Sequence, residues 1–426
     1  MRREREEIIT NKIDWVTVMI YGVMVFWGWL NIYSATYDEH QSIFDFSINS
    51  GRQLMFIVTS IFLILAILII DMRFYEAFAY IIYGLIMFLL LLVPFIGKEV
   101  GGNRAWLGFG SFGVQPSEFA KFATALALAK FMGTIGFRLD NNIRNQAASF
   151  AFIGGPIILI LMQKDYGTAM VFLVFLLVFY REGMSPFLLL VGLGVSVIFI
   201  LTLLVENNWY LFGAIGAAWA LVIFMNRRKK IKRMAVITIG AAVLVVTIMS
   251  VEFIFANLLE PHHQRRVMVL LNPDLDQLGA GYHVYQSKVA IGSGGVIGKG
   301  FLKGTQTKLK FVPEQYTDFI FCTIGEEYGW LGSLIMVGLF MSLLFRVVFL
   351  AERQKNRFAR VYGYSVACIF FFHFATNIAM TIGLFPVIGI PLPFFSYGGS
   401  SLWAFTALLF ILLKLDAHRM HVLQRL

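Results

Sequence analysis

Apolar stretches long enough to cross a lipid bilayer recur from one end of this chain to the other, and no soluble core has room for so many. A helix needs about 20 apolar residues to span the ~30 Å hydrocarbon layer. About twelve windows qualify: residues 15–35, 53–70, 75–96, 117–132, 148–162, 167–180, 187–205, 209–225, 234–258, 319–344, 361–384 and 401–413. Charged residues make up only 14% of the chain, against about 25% in soluble domains, so a soluble enzyme is excluded. Two Cys, Cys322 and Cys368, both in apolar windows, exclude a disulfide scaffold. Backbone polar groups in lipid must bond internally, so the expected fold is an all-α polytopic membrane protein. The first window is too long for a signal-peptide core and lacks a small-residue cleavage site, so it is expected to remain as an anchor.

The net charge of +10 would suggest nucleic acid as a partner in a soluble protein. In a membrane protein it is read loop by loop, and no nucleic-acid role follows. With twelve spans and a cytoplasmic N-terminus carrying Arg2, Arg3, Arg5 and Lys12, the basic run Arg227 to Arg233 falls inside. So do Arg138 and Arg144, the segment holding Arg353, Lys355 and Arg357, and the tail with Lys414, Arg419 and Arg425. Residues 37–46, acidic and without Lys or Arg, fall outside. This is the positive-inside pattern, and it places both termini in the cytoplasm.

The Gly-rich, Pro-containing loops then share the outer face: 97–116, 163–167, 256–318 and 385–400. The third, far longer than an ordinary connection, keeps Tyr, Phe, Val and Leu, and is expected to fold as a large extracytoplasmic loop with short helices. Chemistry is expected where these loops converge.

Five segments carry candidate residues. In 101–121, Pro116 suits a first helical turn, Glu118 sits where the helix dipole favours a carboxylate, and Lys121 follows at i+3. Ionisable groups at the membrane boundary are costly. Either they pin the helix end as a mutual ion pair, or Arg104 and Lys121 meet a phosphate-bearing lipid head group with Glu118 orienting Lys121. In 163–168, Asp165 reads as a helix cap and Gly167 as a bend. In 261–300, the His262–His263 pair cannot converge on zinc without further ligands. The glycines of 292–300 either let backbone approach an anionic head group, with Lys299 as counter-charge, or form a hinge. In 304–321, Asp318 is the last polar residue before a long apolar run. It is either a helix cap or a poorly solvated carboxylate whose raised pKa suits a general base. Glu326 and Glu327, two turns further on, are expected to be structurally paired. In 383–401, Ser396, Tyr397 and Ser400 offer hydroxyls to a polar ligand from non-helical backbone near membrane depth, and His373 and Asn377, at i and i+4 of the preceding span, need buried partners.

These five segments, in this order from Gly101 to Ser401, resemble the SEDS family (shape, elongation, division and sporulation proteins), and its elongation members more than its division members. The resemblance implies a peptidoglycan glycosyltransferase that polymerises lipid II outside the bacterial cytoplasmic membrane during cell elongation. Asp318 matches the family's essential aspartate, Glu118 and Lys121 its buried acid–base pair, and Arg104 the basic residue of the same loop. The implied substrate is lipid II, with Lys299, Ser396 and Tyr397 as further binding candidates. The implied partners are a class B penicillin-binding protein transpeptidase and other membrane proteins of the elongation complex. Magnesium or manganese is compatible with pyrophosphate chemistry, although no ligand cluster identifies either. Tyr316 stands where the family usually has His, and Lys164 and Tyr166 where it has Pro and Leu. The family core has ten spans, so an inserted helix pair is expected near 187–225 within a single integral membrane domain. A lipid flippase without chemistry is the rival reading, since twelve spans and intramembrane charges suit a transporter too.

Overall fold

The computed structural model describes residues 12–37, 45–100, 103–108, 113–140, 142–205, 207–226, 231–257, 264, 268 and 280–419. The chain divides into two compact units, Ser185–Tyr285 and the remainder (Met1–Met184 with Gln286–Leu426).

The larger unit opens with α1 (Trp15–Ala35), α2 (Asn49–Ile69) and α3 (Met72–Ile96). A two-stranded antiparallel hairpin, β1 (Lys98–Val100) and β2 (Asn103–Trp106), follows within the Gly-rich segment 97–116. Then come α4 (Pro116–Met132) and α5 (Ile143–Met162). Next, α6 (Tyr166–Val171) and α7 (Phe175–Arg181) are joined by a 3-10 turn. The smaller unit holds α8 (Phe187–Leu204), α9 (Trp209–Asn226) and α10 (Ile231–Asn257). The Trp219 indole of α9 donates to Thr238 Oγ1 of α10 (3.2 Å). Helix α11 (Ala280–Ser293) straddles the unit boundary. The larger unit resumes with the short α12 (Thr305–Lys308), α13 (Ile320–Glu352), α14 (Arg357–Thr381) and α15 (Gly399–Ala417).

Among the described residues, seven helices are long and apolar enough to cross a membrane: α1, α2, α3, α5, α13, α14 and α15. The expected count of about twelve is reached only by adding the shorter α4, the broken 166–181 segment and α8 to α10. The His262–His263 pair lies outside the described residues.

Burial sorts the helices of the larger unit. Helix α15 is 94% buried, whereas α2 and α3 are 17% buried, so α15 is central and the other two present apolar side chains to lipid. Helix α4 has no fully exposed residue, and most of its side chains are buried. Small residues allow this close packing: an alanine at Gly28 of α1 would overlap the Phe394 carbonyl.

Helix α13 has 33 residues, about 50 Å of helix at 1.5 Å per residue, too long for one bilayer crossing. It breaks at Gly329, whose φ is 66°. The N–H groups freed by the break do not go unpaired. Trp330 N donates to Gly295 O (2.9 Å) and Leu331 N to Val296 O (3.0 Å), while Lys299 N and Gly300 N donate to the carbonyls of Glu326 and Glu327. The glycine run 292–300 is therefore spliced into the kink. An alanine at Gly298 (φ 88°) would run into the Glu327 carbonyl.

One end of the larger unit is laced by ion pairs. Arg346 at the close of α13 grips Asp14, the N-cap of α1 (Nε to Oδ2 2.9 Å). Arg353 Nε (2.7 Å) and Gln354 Nε2 (2.8 Å) donate to Asp416 Oδ1 of α15. Arg357 and Arg360 of α14 share the buried Glu182 beyond α7 (2.9 and 3.1 Å). The candidate loops gather at the opposite ends of these helices.

Candidate functional site

Four segments converge. Residues 313–319 lead into α13, 385–398 lead into α15, the turn 163–165 precedes α6, and Gln115 precedes α4.

Helix α4 starts at Pro116, with Glu118 in its first turn. Lys121 Nζ donates to Glu118 Oε2 (2.8 Å) and to His373 Nε2 of α14 (3.0 Å). Neither Glu118 (3% exposed) nor Lys121 (0%) reaches solvent. His373 Nδ1 lies 3.0 Å from the Pro391 carbonyl. A carbonyl only accepts, so Nδ1 carries the proton and Nε2 is left to accept from Lys121. The buried ion pair is thus tied through one imidazole to the Pro-rich loop. Asp165 adds a second negative charge to the surroundings of Lys121. Its own oxygens accept from Thr168 N (3.0 Å), Thr168 Oγ1 (2.8 Å) and Gln115 Nε2 (3.1 Å), so it is the N-cap read from sequence. Gly167 is required for a different reason than a bend: a Cβ there would overlap the Ile388 carbonyl. The residue with left-handed backbone in this turn is Lys164 (φ 61°).

One turn beyond His373, Asn377 Nδ2 donates to the carbonyls of both Asp318 and Ile390 (2.7 Å each). Helix α14 therefore holds the backbone of Asp318 and the facing loop with one amide. Asp318 is half-buried, and a Cβ on Gly389 would stand 3.4 Å from its Oδ2. The N-cap of α13 falls on Phe319, without a side-chain cap. Ser396 Oγ donates to Thr317 O (2.6 Å) and accepts from Leu392 N (2.8 Å). Tyr397 N donates to Tyr316 O (2.8 Å), and the two rings meet edge-on at 5.8 Å. Burial pushes both phenols above their ordinary pKa; bonds from Asn49 to Tyr316 and from Arg52 to Tyr397 oppose this.

The sequence-derived candidates thus fall into two groups. Asp318, Ser396 and Tyr397 share the 313–319/385–398 junction, and Glu118 and Lys121 reach it through His373. Arg104 and Lys299 stand apart. Arg104, on β2, is half exposed, 3.8 Å from Glu99 across the hairpin. Lys299 Nζ is engaged by Glu326 Oε1 (2.7 Å) and Thr305 Oγ1 (2.8 Å). Glu326 also accepts from the backbone of Gln306 and Thr307 (2.9 Å each), which anchors α12. Its expected structural pairing is what the structure shows. His373 and Asn377 carry more of the site than the sequence assigned them. Their i, i+4 spacing on a buried face was the available signal.

The fold and this polar junction at one end of an apolar bundle define a polytopic integral membrane protein with a site fed by its loops. The FtsW/RodA/SpoVE family profile, described as "Cell cycle protein", matches residues 14–212 and 188–421. The chain belongs to this family. It is 34% identical over 348 residues to the peptidoglycan glycosyltransferase MrdB of Escherichia coli K12, covering 82% of this chain and 80% of that one. It is 29% identical to the peptidoglycan glycosyltransferase RodA of Treponema pallidum, covering 96% and 99%. Among solved structures it matches a chain of a peptidoglycan synthase complex (TM-score 0.70, 26% identity, 96% and 98% covered). It also shares the fold of the rod shape determining protein RodA of Thermus thermophilus (TM-score 0.60, 24% identity, 96% and 97% covered).

Proposed function

We propose that this chain is a peptidoglycan glycosyltransferase that polymerises lipid II, with Asp318 as general base. The observation that carries the assignment of the base is the position of Asp318 at the mouth of α13, its backbone carbonyl held by Asn377 and its carboxylate beside Gly389 of the Pro-rich loop. The acceptor's 4-hydroxyl attacks C1 of the donor sugar. Asp318 takes the hydroxyl proton, the C1–O bond to the undecaprenyl pyrophosphate breaks, and the configuration inverts.

Arg104, exposed on the hairpin and separate from the Asp318 junction, is kept as a candidate counter-charge for the departing pyrophosphate. Lys121, enclosed by Glu118 and His373, acts at one remove by fixing the loop 385–398, as does Ser396. Lys299 supports the kink of α13 and so the helix that Asp318 precedes. Among the described residues no three His, Cys, Asp or Glu side chains converge as a metal-ligand set.

The loop charges support cytoplasmic termini and a site on the outer face of a bacterial cytoplasmic membrane. The likeness to a chain of a synthase complex supports a class B penicillin-binding protein as partner, within an elongation complex. The test is purified protein, co-purified with that partner, incubated with labelled lipid II and resolved for glycan polymer. Polymer is expected. Its absence, with lipid II translocated across vesicles instead, would overturn the enzyme reading in favour of a flippase.

A further inference from the structure

A pocket of about 590 Å³ opens beside the Asp318 segment, between the end of α1, the start of α2 and residues 310–316. Resting on the proposed glycan-polymerising activity, we propose that it is a saccharide subsite, binding an N-acetylated sugar of the acceptor strand.

Its position makes the link to the acceptor. Glu314, Gln315 and Tyr316 form its wall, and the chain reaches Asp318 two residues later. Consecutive Cα atoms are about 3.8 Å apart, so wall and base are separated by little more than the width of a sugar ring. The carboxylate of Glu314 accepts from Thr317 Oγ1 (2.9 Å), next to the base. The base takes its proton from the acceptor hydroxyl, so a sugar site adjoining it along the chain belongs with the acceptor.

The lining chemistry selects the class of ligand. Among the described lining residues one cation, Lys310, stands against one anion, Glu314. A pyrophosphate would want a surplus of positive charge, and a polyprenyl chain an apolar wall. The pocket offers no surplus of positive charge, and its apolar residues (Ala35, Ile48, Val312 and Pro313) are interrupted by polar ones. It offers hydroxyls and amides (Ser47, Asn49, Gln315) beside the aromatic Tyr316, a combination suited to an uncharged, hydroxyl-rich and acetamido-bearing ring.

Gln315 adds a specific vacancy. Its Nε2 donates to Ala35 O (2.9 Å) and Thr307 O (2.8 Å), which fixes the amide orientation. Its Oε1 is buried with no partner, an acceptor that a sugar hydroxyl or acetamido N–H reaches once the lining shifts to admit it. The backbone is also held in an unfavourable form at both ends of this wall: Lys310 (φ 54°) and Glu314 (φ 53°) sit in the left-handed region. Such strain gathers at ligand clamps.

The test is full-length protein in lipid nanodiscs titrated with an N-acetylglucosamine tetramer, with maltotetraose as the non-acetylated control, followed by saturation-transfer NMR. The acetylated tetramer is expected to bind and maltotetraose not to. Asn49→Ala and Ser47→Ala are each expected to weaken binding by about fivefold, as loss of a hydrogen bond of about 1 kcal/mol implies, with the unfolding midpoint of Ser47→Ala unchanged. Asp318→Ala is expected to keep it. Undiminished binding in both pocket variants, or displacement by a stem-type peptide but not by sugar, overturns the assignment. Lipid II polymerisation measured in parallel separates the two readings. Polymer without tetramer binding defeats the subsite alone, and pocket-dependent binding without polymer defeats the glycosyltransferase reading alone.

Discussion

His373 is the residue on which two otherwise separate pieces of chemistry meet: the enclosed Glu118–Lys121 pair and the backbone of the Pro-rich loop. His373→Phe keeps the ring against Phe405 but removes an acceptor from Lys121 and a donor from Pro391. Leaving such groups unpaired costs about 1–3 kcal/mol each. The expected result is a fall in lipid II polymerisation of about ten- to a hundredfold, with a lowered unfolding midpoint. His373→Gln, which can both donate and accept, is expected to recover part of the rate; equal rates for the two variants would remove His373 from its positioning role. Asp318→Asn preserves shape and loses only the basic oxygen. Polymerisation is expected to fall by at least about a hundredfold at an unchanged unfolding midpoint. None of the Lys121–His373 contact was readable beforehand, because the two are 252 positions apart and spacing identifies only neighbours on one helix face. Asp165, whose capping partner Thr168 lies three residues on, was readable for that reason.

At the scale of elements, the spliced kink in α13 and the seat of the 385–398 loop on α6 both depend on glycine. Gly167→Ala pushes against the Ile388 carbonyl and is expected to displace the loop that faces Asp318. Gly154→Ala in α5, where a Cβ meets nothing within 4 Å, is expected to be neutral or to stabilise by about 0.5–1 kcal/mol. Polymerisation and thermal unfolding of both variants check this; an active, stable Gly167→Ala protein would refute the close packing. The long apolar helices were legible because a bilayer leaves a chain little alternative. The β1–β2 hairpin was not, since strands of three and four residues carry no usable periodicity. The kink at Gly329 was hidden inside an unbroken apolar run, and its partner, the glycine run, was read instead as a hinge or a head-group contact. Loop-to-helix hydrogen bonds of this kind leave no trace in local sequence pattern.

Across the whole molecule, acid sensitivity is expected to begin at the ion-paired end. Burial alone would raise the Asp14 carboxyl, but hydrogen bonds from Arg346 and Thr17 outweigh it and hold the pKa at about 2, below the ordinary 3.8. A carboxyl depressed on folding stabilises the fold above its unfolded pKa. That contribution is present in full above about pH 4 and is lost as pH falls through about 2. In detergent, Asp14→Asn is expected to unfold at lower temperature than the parent at pH 6, with the gap closing below pH 3. A gap unchanged at low pH would show that the carboxylate charge is not what binds α1 to α13.

Asp14, Glu182 and Asp416 fasten helix ends at one extremity of the larger unit, while hydrogen-bonded loops close the other. The helices are tied by exposed-side guanidinium–carboxylate pairs at one end and chiefly by bonds to backbone at the other. Salt and acid weaken the first kind of tie far more than the second, so the two ends are expected to loosen under different solvent conditions.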